Sequence, residues 1–230
     1  NNCPKEADEY EHLFISINMF NTRYEELFSK LDPNFYDYIV IDEAHHSQAD
    51  SYRKLFEHFN PQLLIGLTAT PERMDGRDLR PDFGGYISAE IRFPQALQAG
   101  LLTPFQYLCV SDDTDLSDDS LWNGQKYNTN LLANKLCSKT RAQLIVNALH
   151  KYLADEYTCK ALCFCVNKQH ADFMAEQLKQ SGFGAESLTS DTPSDKRKQL
   201  AKDLANGTLH YLCVVDIFNE GIDIPEVDTV

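Results

Sequence analysis

The chain has 230 residues, 43% of them apolar, and 21 basic against 35 acidic side chains give it a formal net charge of −14. That is enough sequence for one large core or two small ones, and the charge excludes a surface that is basic throughout, as a simple nucleic-acid clamp would show. No run of 18 or more apolar residues occurs, so no membrane span is expected. The polar, acidic start NNCPKEADEYEH does not read as a signal peptide. The seven cysteines include no C-x-x-C pair and lie mostly in apolar runs such as Leu162-Cys163-Phe164-Cys165-Val166. They read as reduced core thiols of a cytoplasmic protein. Residues 1–92 carry 9 basic and 17 acidic side chains, 93–138 carry 2 and 5, and 139–230 carry 10 and 13. Any phosphate binding must therefore come from placed backbone N–H groups, hydroxyls and a few Lys or Arg.

Residues 15–20 read as a short strand. Asn21 and Thr22 supply cap residues for a helix, with Glu25 at capping-box spacing from Thr22 and Tyr24, Leu27, Phe28 and Leu31 on one stripe. Asp32-Pro33-Asn34 stops it. The apolar run 38–41 ends abruptly in Asp42 and Glu43, the pattern of a central parallel strand covered on both faces. In open α/β sheets ligands bind outside the carboxyl ends of the strands. Asp42-Glu43-Ala44-His45 leads into a helix with Tyr52, Leu55, Phe56 and Phe59 on one face. A second apolar run, 63–67, ends in Thr68-Ala69-Thr70-Pro71. Taken alone, Asp42-Glu43 reads as an acidic turn capping the next helix; the hydroxyl-bearing strand tip that follows makes it a candidate site.

Residues 93–138 look like a connector. A short helix is expected over 93–99, an isolated strand over 105–110 and a helix over 121–136. Five aspartates in the nine residues 111–119 form a solvated loop that lacks the central glycine and terminal glutamate of a calcium loop. A second α/β pattern then begins. Helix 140–153 turns Ile145, Leu149 and Leu153 inward, and strand 160–166, helix 169–180 and strand 184–188 follow. Thr192 caps the next helix with Pro193 at its first position and Asp195 in its first turn. Strand 211–215 runs into a loop ending Glu220-Gly221-Ile222-Asp223-Ile224-Pro225. Alternating strands and helices imply parallel sheets.

Strand, Asp42-Glu43-Ala44-His45, helix, strand and Thr68-Ala69-Thr70, in this order, resemble motifs II and III of superfamily 2 helicases, the DEAD/DEAH-box group. Pro71-Glu72-Arg73 and Met74-Asp75-Gly76 resemble the branch related to type III restriction-enzyme motor subunits and their bacterial helicase relatives. The resemblance implies that Asp42 holds Mg²⁺ and that Glu43 orients or deprotonates the water attacking the γ-phosphate of ATP. His45, Thr68 and Thr70 would couple that site to the nucleic-acid track. Arg73 would serve an interdomain cleft, or else pair with Asp75 or Glu72. In the second half, Phe164-Cys165-Val166-Asn167 resembles motif IV, which assigns Asn167 and Lys168 to nucleic acid. Leu188-Thr189-Ser190, with Arg197 further on, resembles the turn and helix that follow in the family, which implies a phosphate contact at Ser190. Glu220 to Pro225 resembles motif V, where Gly221 admits the nucleotide closely and Asp223 reaches the ATP ribose or the partner domain. For Lys168, Ser190 and Lys196 a solvated surface role is an equal alternative.

The fold implied is α/β: two RecA-like parallel-sheet domains, both truncated, at 1–92 and 139–230, joined by 93–138. No G-x-x-x-x-G-K-[ST] phosphate loop is found, since Ser138-Lys139-Thr140 lacks the glycine and reads as a helix start; an arginine-rich motif VI is also missing. The expectation is therefore a piece of an ATP-dependent helicase or translocase acting on DNA or RNA, inefficient alone. The acid tip at 42 and 43 is expected to face the glycine turn near 221. A type III restriction motor subunit, a non-catalytic RecA-like docking module and a metal phosphohydrolase using Asp42, Glu43, His45 and His46 are alternatives.

Overall fold

The computed structural model describes residues 12–47, 49–70, 78–124, 126–215 and 224–230. The chain divides into two compact units, Asn1–Phe105 and Gln106–Val230. The first opens with helix α1, Ile17–Arg23, which runs into a π-helical turn, Tyr24–Phe28. The strand expected over 15–20 is not formed. Ser16 caps α1 by accepting from the Met19 N–H at 3.2 Å, and the helix puts Phe20 beside Phe28 with ring centroids 4.8 Å apart. The alternating string Ile15-Ser16-Ile17-Asn18 suits either period, and the cap together with burial of Phe20 against Leu27, Phe28 and Phe59 decides for helix. Thr22 does not start a new helix; its hydroxyl donates back to the Asn18 carbonyl.

Strands β1, Tyr38–Ile41, and β2, Leu63–Gly66, pair in parallel, Tyr38 beside Leu63 and Ile41 beside Gly66. Ile39 packs on the aromatic cluster, whereas Tyr38 and Val40 stay 66% and 57% exposed. The expectation of cover on both faces is therefore not met among the described residues. Successive side chains alternate across a strand, and the described packing reaches only the Ile39 side. Between the strands, a 3₁₀ turn Asp50–Tyr52 leads into α2, Arg53–His58. The face expected there is shared between two neighbours: Leu55 and Phe59 enter the cluster, while Phe56 meets Tyr52 and the edge of Phe83. A 3₁₀ turn Arg80–Phe83 and helix α3, Phe93–Gln98, complete the unit.

Residues 105–110 form no strand, contrary to expectation. Phe105 and Tyr107 are 65% and 83% exposed, and without a partner edge an extended segment finds no ladder for its backbone groups. The helix expected over 121–136 is also shorter. A 3₁₀ turn Asp119–Leu121 and a bridge between Trp122 and Tyr127 precede α4, Thr129–Leu136. Gly124, at φ 91°, lets the chain reverse between the bridge residues.

The rest of the second unit follows the expected alternation: α5 Lys139–Tyr152, β3 Ala161–Phe164, α6 Lys168–Gln180, β4 Ala185–Leu188, α7 Ser194–Asn206 and β5 Tyr211–Val214. The three strands are parallel in the order β3-β5-β4. Tyr211 and Cys213 face Ala142, Val146, Met174 and Leu178 from α5 and α6, while Leu212 and Val214 face Leu200 and Leu204 of α7. All four β5 residues are fully buried. Residue Thr229 bridges to Ala161 on the outer side of β3. Thr192 does not cap α7. Its hydroxyl accepts from the Thr189 N–H at 3.0 Å, closing a turn, and Pro193 occupies the cap position.

The six described cysteines are free, and Cys109 departs from the core reading by being exposed. Hydrogen bonds with Cys163 and then Cys165, added to burial, push the Cys213 thiol well above its ordinary range, so it is an inert packing group. No described helix is long and apolar enough to cross a membrane.

Candidate functional site at the strand tips

The carboxyl edge of the first sheet begins where β1 ends at Ile41. The Leu67 N–H donates to the Ile41 carbonyl at 2.9 Å, and the Ala44 N–H donates to the Leu67 carbonyl at 2.8 Å. These two bonds tie the turn after β1 to the tip of β2. Between them the Asp42 carboxylate is exposed and accepts from the Glu43 N–H at 3.0 Å. Glu43 has φ 48° and ψ 49°, and no other described residue besides glycine has positive φ. A left-handed glutamate is disfavoured by roughly 1–2 kcal/mol and persists only where its surroundings over-determine it. Here the paired strand tips on one side and the 3₁₀ turn Ala44–His46 on the other do so.

The close approach rests on Gly66, which the sequence reading passed over. A Cβ there would meet the Phe83 ring at 2.8 Å and the Ala44 Cβ at 2.9 Å. A glycine inside an apolar strand is itself the signal of close backbone approach, and it was available in Leu63-Leu64-Ile65-Gly66-Leu67. Phe83 gave no such signal, since it lies in a loop sequence.

His45 joins the two strand tips. Its Nδ1 lies 3.1 Å from the Thr68 hydroxyl and 3.2 Å from Glu43 Oε2. The Thr68 oxygen also accepts from the Thr70 N–H at 3.1 Å, so Thr70 enters through its backbone. One imidazole nitrogen thus stands within reach of both the acid turn and the hydroxyl tip. A proton on Nδ1 is shared between Glu43 and Thr68; without it, Nδ1 accepts from Thr68 and releases Glu43. The structure therefore gathers Asp42, Glu43, His45, Thr68 and Thr70 into one cluster.

Among the described residues no three His, Cys, Asp or Glu side chains converge to hold a metal ion. The phosphohydrolase reading of Asp42, Glu43, His45 and His46 therefore lacks its ligand set among the described residues: the His45 and His46 rings lie 4.0 Å apart, but His45 Nδ1 is turned to Thr68 and Glu43. Mg²⁺ asks for less, one or two carboxylates alongside waters and substrate phosphates, and the exposed Asp42 carboxylate at a strand tip fits that demand.

In the second unit Asn167, Lys168 and Ser190 gather at the carboxyl ends of β3 and β4. Asn167 caps α6, its Oδ1 accepting from the His170 N–H at 2.9 Å. Its amide donates to the Thr129 carbonyl at 3.3 Å and to Asn130 Oδ1 at 3.2 Å. Lys168 Nζ lies 2.7 Å from both oxygens of Asp191. Ser190 is exposed, and its carbonyl accepts from the Arg197 guanidinium at 2.7 Å. Beneath them His170 is buried, with Nδ1 accepting from the Val166 N–H. Burial first, and the nearby Arg141 charge second, hold its pKa below the ordinary imidazole value. Ser138 begins α5 as read, accepting from the Arg141 N–H. Gly221 and Asp223, Arg73 and the segments around them lie outside the described residues, as does the expected juxtaposition of 42 and 43 with 221.

Residues 1–73 match the family described as Type III restriction enzyme, res subunit, and residues 144–230 match the Helicase conserved C-terminal domain. The chain belongs to the superfamily 2 helicases. Within them it falls in the branch related to type III restriction enzymes. The chain is 30% identical over 87% of its length to IRC3 of Saccharomyces cerevisiae, by its name a candidate ATP-dependent helicase, and covers 30% of it. It is 27% identical over 82% of its length to a 51.5 kDa protein of a Lactococcus phage, covering 40% of that protein. It is also 25% identical over 67% of its length to the EcoAI type I restriction endonuclease subunit of Escherichia coli, covering 21% of it. The chain thus spans between about a fifth and two fifths of the length of these relatives.

Proposed function

We propose that this chain is part of an ATP-dependent motor that moves along DNA or RNA, with motor halves at 1–92 and 139–230 and 93–138 as their connector. The observation that carries the reading is the His45 Nδ1 bridge between Glu43 and Thr68, because a motor needs its hydrolytic group linked to a second element that can respond. Asp42 would hold Mg²⁺, which when bound neutralises charge on the ATP phosphates. Glu43 positions the attacking water and takes its proton. A proton arriving on Glu43 weakens its attraction for His45 and frees Nδ1 for Thr68, so the state of the acid turn is felt at the β2 tip. Gly221 and Asp223 are assigned to the nucleotide as well. Asn167, Lys168 and Ser190 are assigned to the nucleic-acid backbone. The Lys168–Asp191 pair is exposed, and such pairs are weak enough to open to a phosphate. The free thiols, three of the six described ones buried, suit a cytoplasmic setting.

The test is Glu43→Gln in the whole protein. ATP binding is retained and nucleic-acid-stimulated turnover falls by about 100-fold or more, since an amide takes no proton. Normal turnover in that variant removes Glu43 from the role. The match of 1–73 to the res subunit family favours a second reading, the motor subunit of a type III restriction enzyme; a nuclease motif elsewhere in the whole protein would support it.

A further inference from the structure

Residues 106–118 form neither helix nor strand, and their apolar side chains do not anchor them: Tyr107, Leu108, Val110 and Leu116 are all exposed. Two cations hold the segment to its own unit. The Arg141 guanidinium pairs with the Asp112 carboxylate. Lys135 Nζ donates to the Asp115 carbonyl at 3.1 Å and lies 3.5 Å from Asp118 Oδ2. The other described hydrogen bonds of these aspartates are local, from Thr114 to Asp112, from Ser117 to Asp115 and from Ser120 to Asp118. Between the segment and the helices α4 and α5 lies a cavity of about 850 Å³, with Ser138, Thr140, Gln143 and Asn147 on the helical side. Arg141 Nε is buried there without a hydrogen-bond partner among the described residues.

Cations flanked by hydroxyls and amides are the chemistry that binds a sugar-phosphate backbone. A segment tethered by carboxylates to those same cations imitates that ligand. We infer that 106–118 is an electrostatic strap lying over a phosphate-binding face built on Lys135 and Arg141, and that single-stranded nucleic acid displaces it. The inference rests on the motor reading for the identity of the polyanion. The strap makes binding in the second unit conditional: the incoming phosphates must outcompete Asp112 and Asp118 for the same two cations. Because the tethers are ion pairs near the surface, salt loosens them.

The test uses the full 230-residue chain and a single-stranded oligothymidine as probe. Asp112→Asn with Asp118→Asn binds it about tenfold more tightly. Adding Lys135→Gln and Arg141→Gln abolishes the gain and reduces the salt slope by about 1.4, the share of two phosphates on a single strand. Asp195→Asn with Glu176→Gln, an equal charge change at exposed sites on α7 and α6, leaves affinity within about twofold. A fluorophore on exposed Cys109, corrected with a labelled Cys109→Ser chain, loses anisotropy in the unmutated protein when oligothymidine or salt is added. Equal tightening by the control pair, or a Cys109 probe unmoved by either addition, overturns the strap. Oligothymidine binding that is indifferent to Asp112 and Asp118 overturns it while leaving the motor reading intact. Absence of binding in every form overturns the strap and the nucleic-acid assignment together.

Discussion

The two parallel sheets of this chain are finished to different degrees. In the second, β5 is buried along its whole length between α5 and α6 on one face and α7 on the other. In the first, β1 leaves Tyr38 and Val40 exposed, and the described packing is confined to the side of Ile39. The difference separates two ways of holding a strand tip in place. The second sheet is rigid by burial, so the polar residues at its tips are held by caps and surface pairs and remain exchangeable. The first gains less from burial. Its acid turn is held instead by backbone bonds between strand tips, a glycine contact and the His45 bridge, and these local devices carry a left-handed glutamate.

The largest expected effect contrasts one residue type in the two sheets. Leu212→Ala in β5 removes a fully buried side chain and destabilises by about 2–5 kcal/mol. Leu63→Ala in β2, where the side chain is 44% exposed, costs about 0.5 kcal/mol. Urea unfolding of both variants measures the contrast, and equal losses would erase it. Next, Gly66→Ala drives a methyl into Phe83 and Ala44 and costs about 1–3 kcal/mol. Adding Phe83→Ala recovers part of this by removing one of the two obstacles, and the same denaturation measurement shows whether it does. A neutral Gly66→Ala would mean that the acid turn is not held by that contact.

Asn167→Ala tests the second mode. It removes the α6 cap and costs about 1 kcal/mol, and thermal melts should show the loss in the second unit while the first is unchanged. The smallest effect is a pH slope. His170 has a lowered pKa in the folded protein, so the unfolded chain binds more protons as pH falls below about 6.5. The stability contributed by its neutral form is complete above that pH and is lost as pH falls toward the depressed folded value. His170→Gln should flatten this slope in unfolding measured from pH 7.5 down to about 5. An unchanged slope assigns the acid sensitivity to other groups.

Much of the second unit was legible in the sequence because its signals agreed. Apolar runs of strand length, amphipathic helices and the helix start at Ser138 all pointed to the same alternation. The misreadings came where signals were divided. Residues 15–20 alternate like a strand yet pack as a helix, and residues 105–110 have strand composition without a neighbour to pair with. At the site, Asp42, Glu43, His45, Thr68 and Thr70 were legible as types in order. The meeting of Glu43 and Thr68 at one imidazole nitrogen was not, nor was Phe83.

By itself the sequence determined which residues bear chemistry, which segments alternate as strand and helix, and that the strands run parallel. Only the tertiary structure decided that β5 sits between β3 and β4, that the Ala44 turn closes against Gly66, that Glu43 turns left-handed, and that an acidic segment lies on Lys135 and Arg141. The physical reason is one of range. Periodicity and composition act over a few residues, whereas strand order, close backbone contact and ion pairing are settled between residues far apart in the chain, by which surfaces can be buried together and which charges meet.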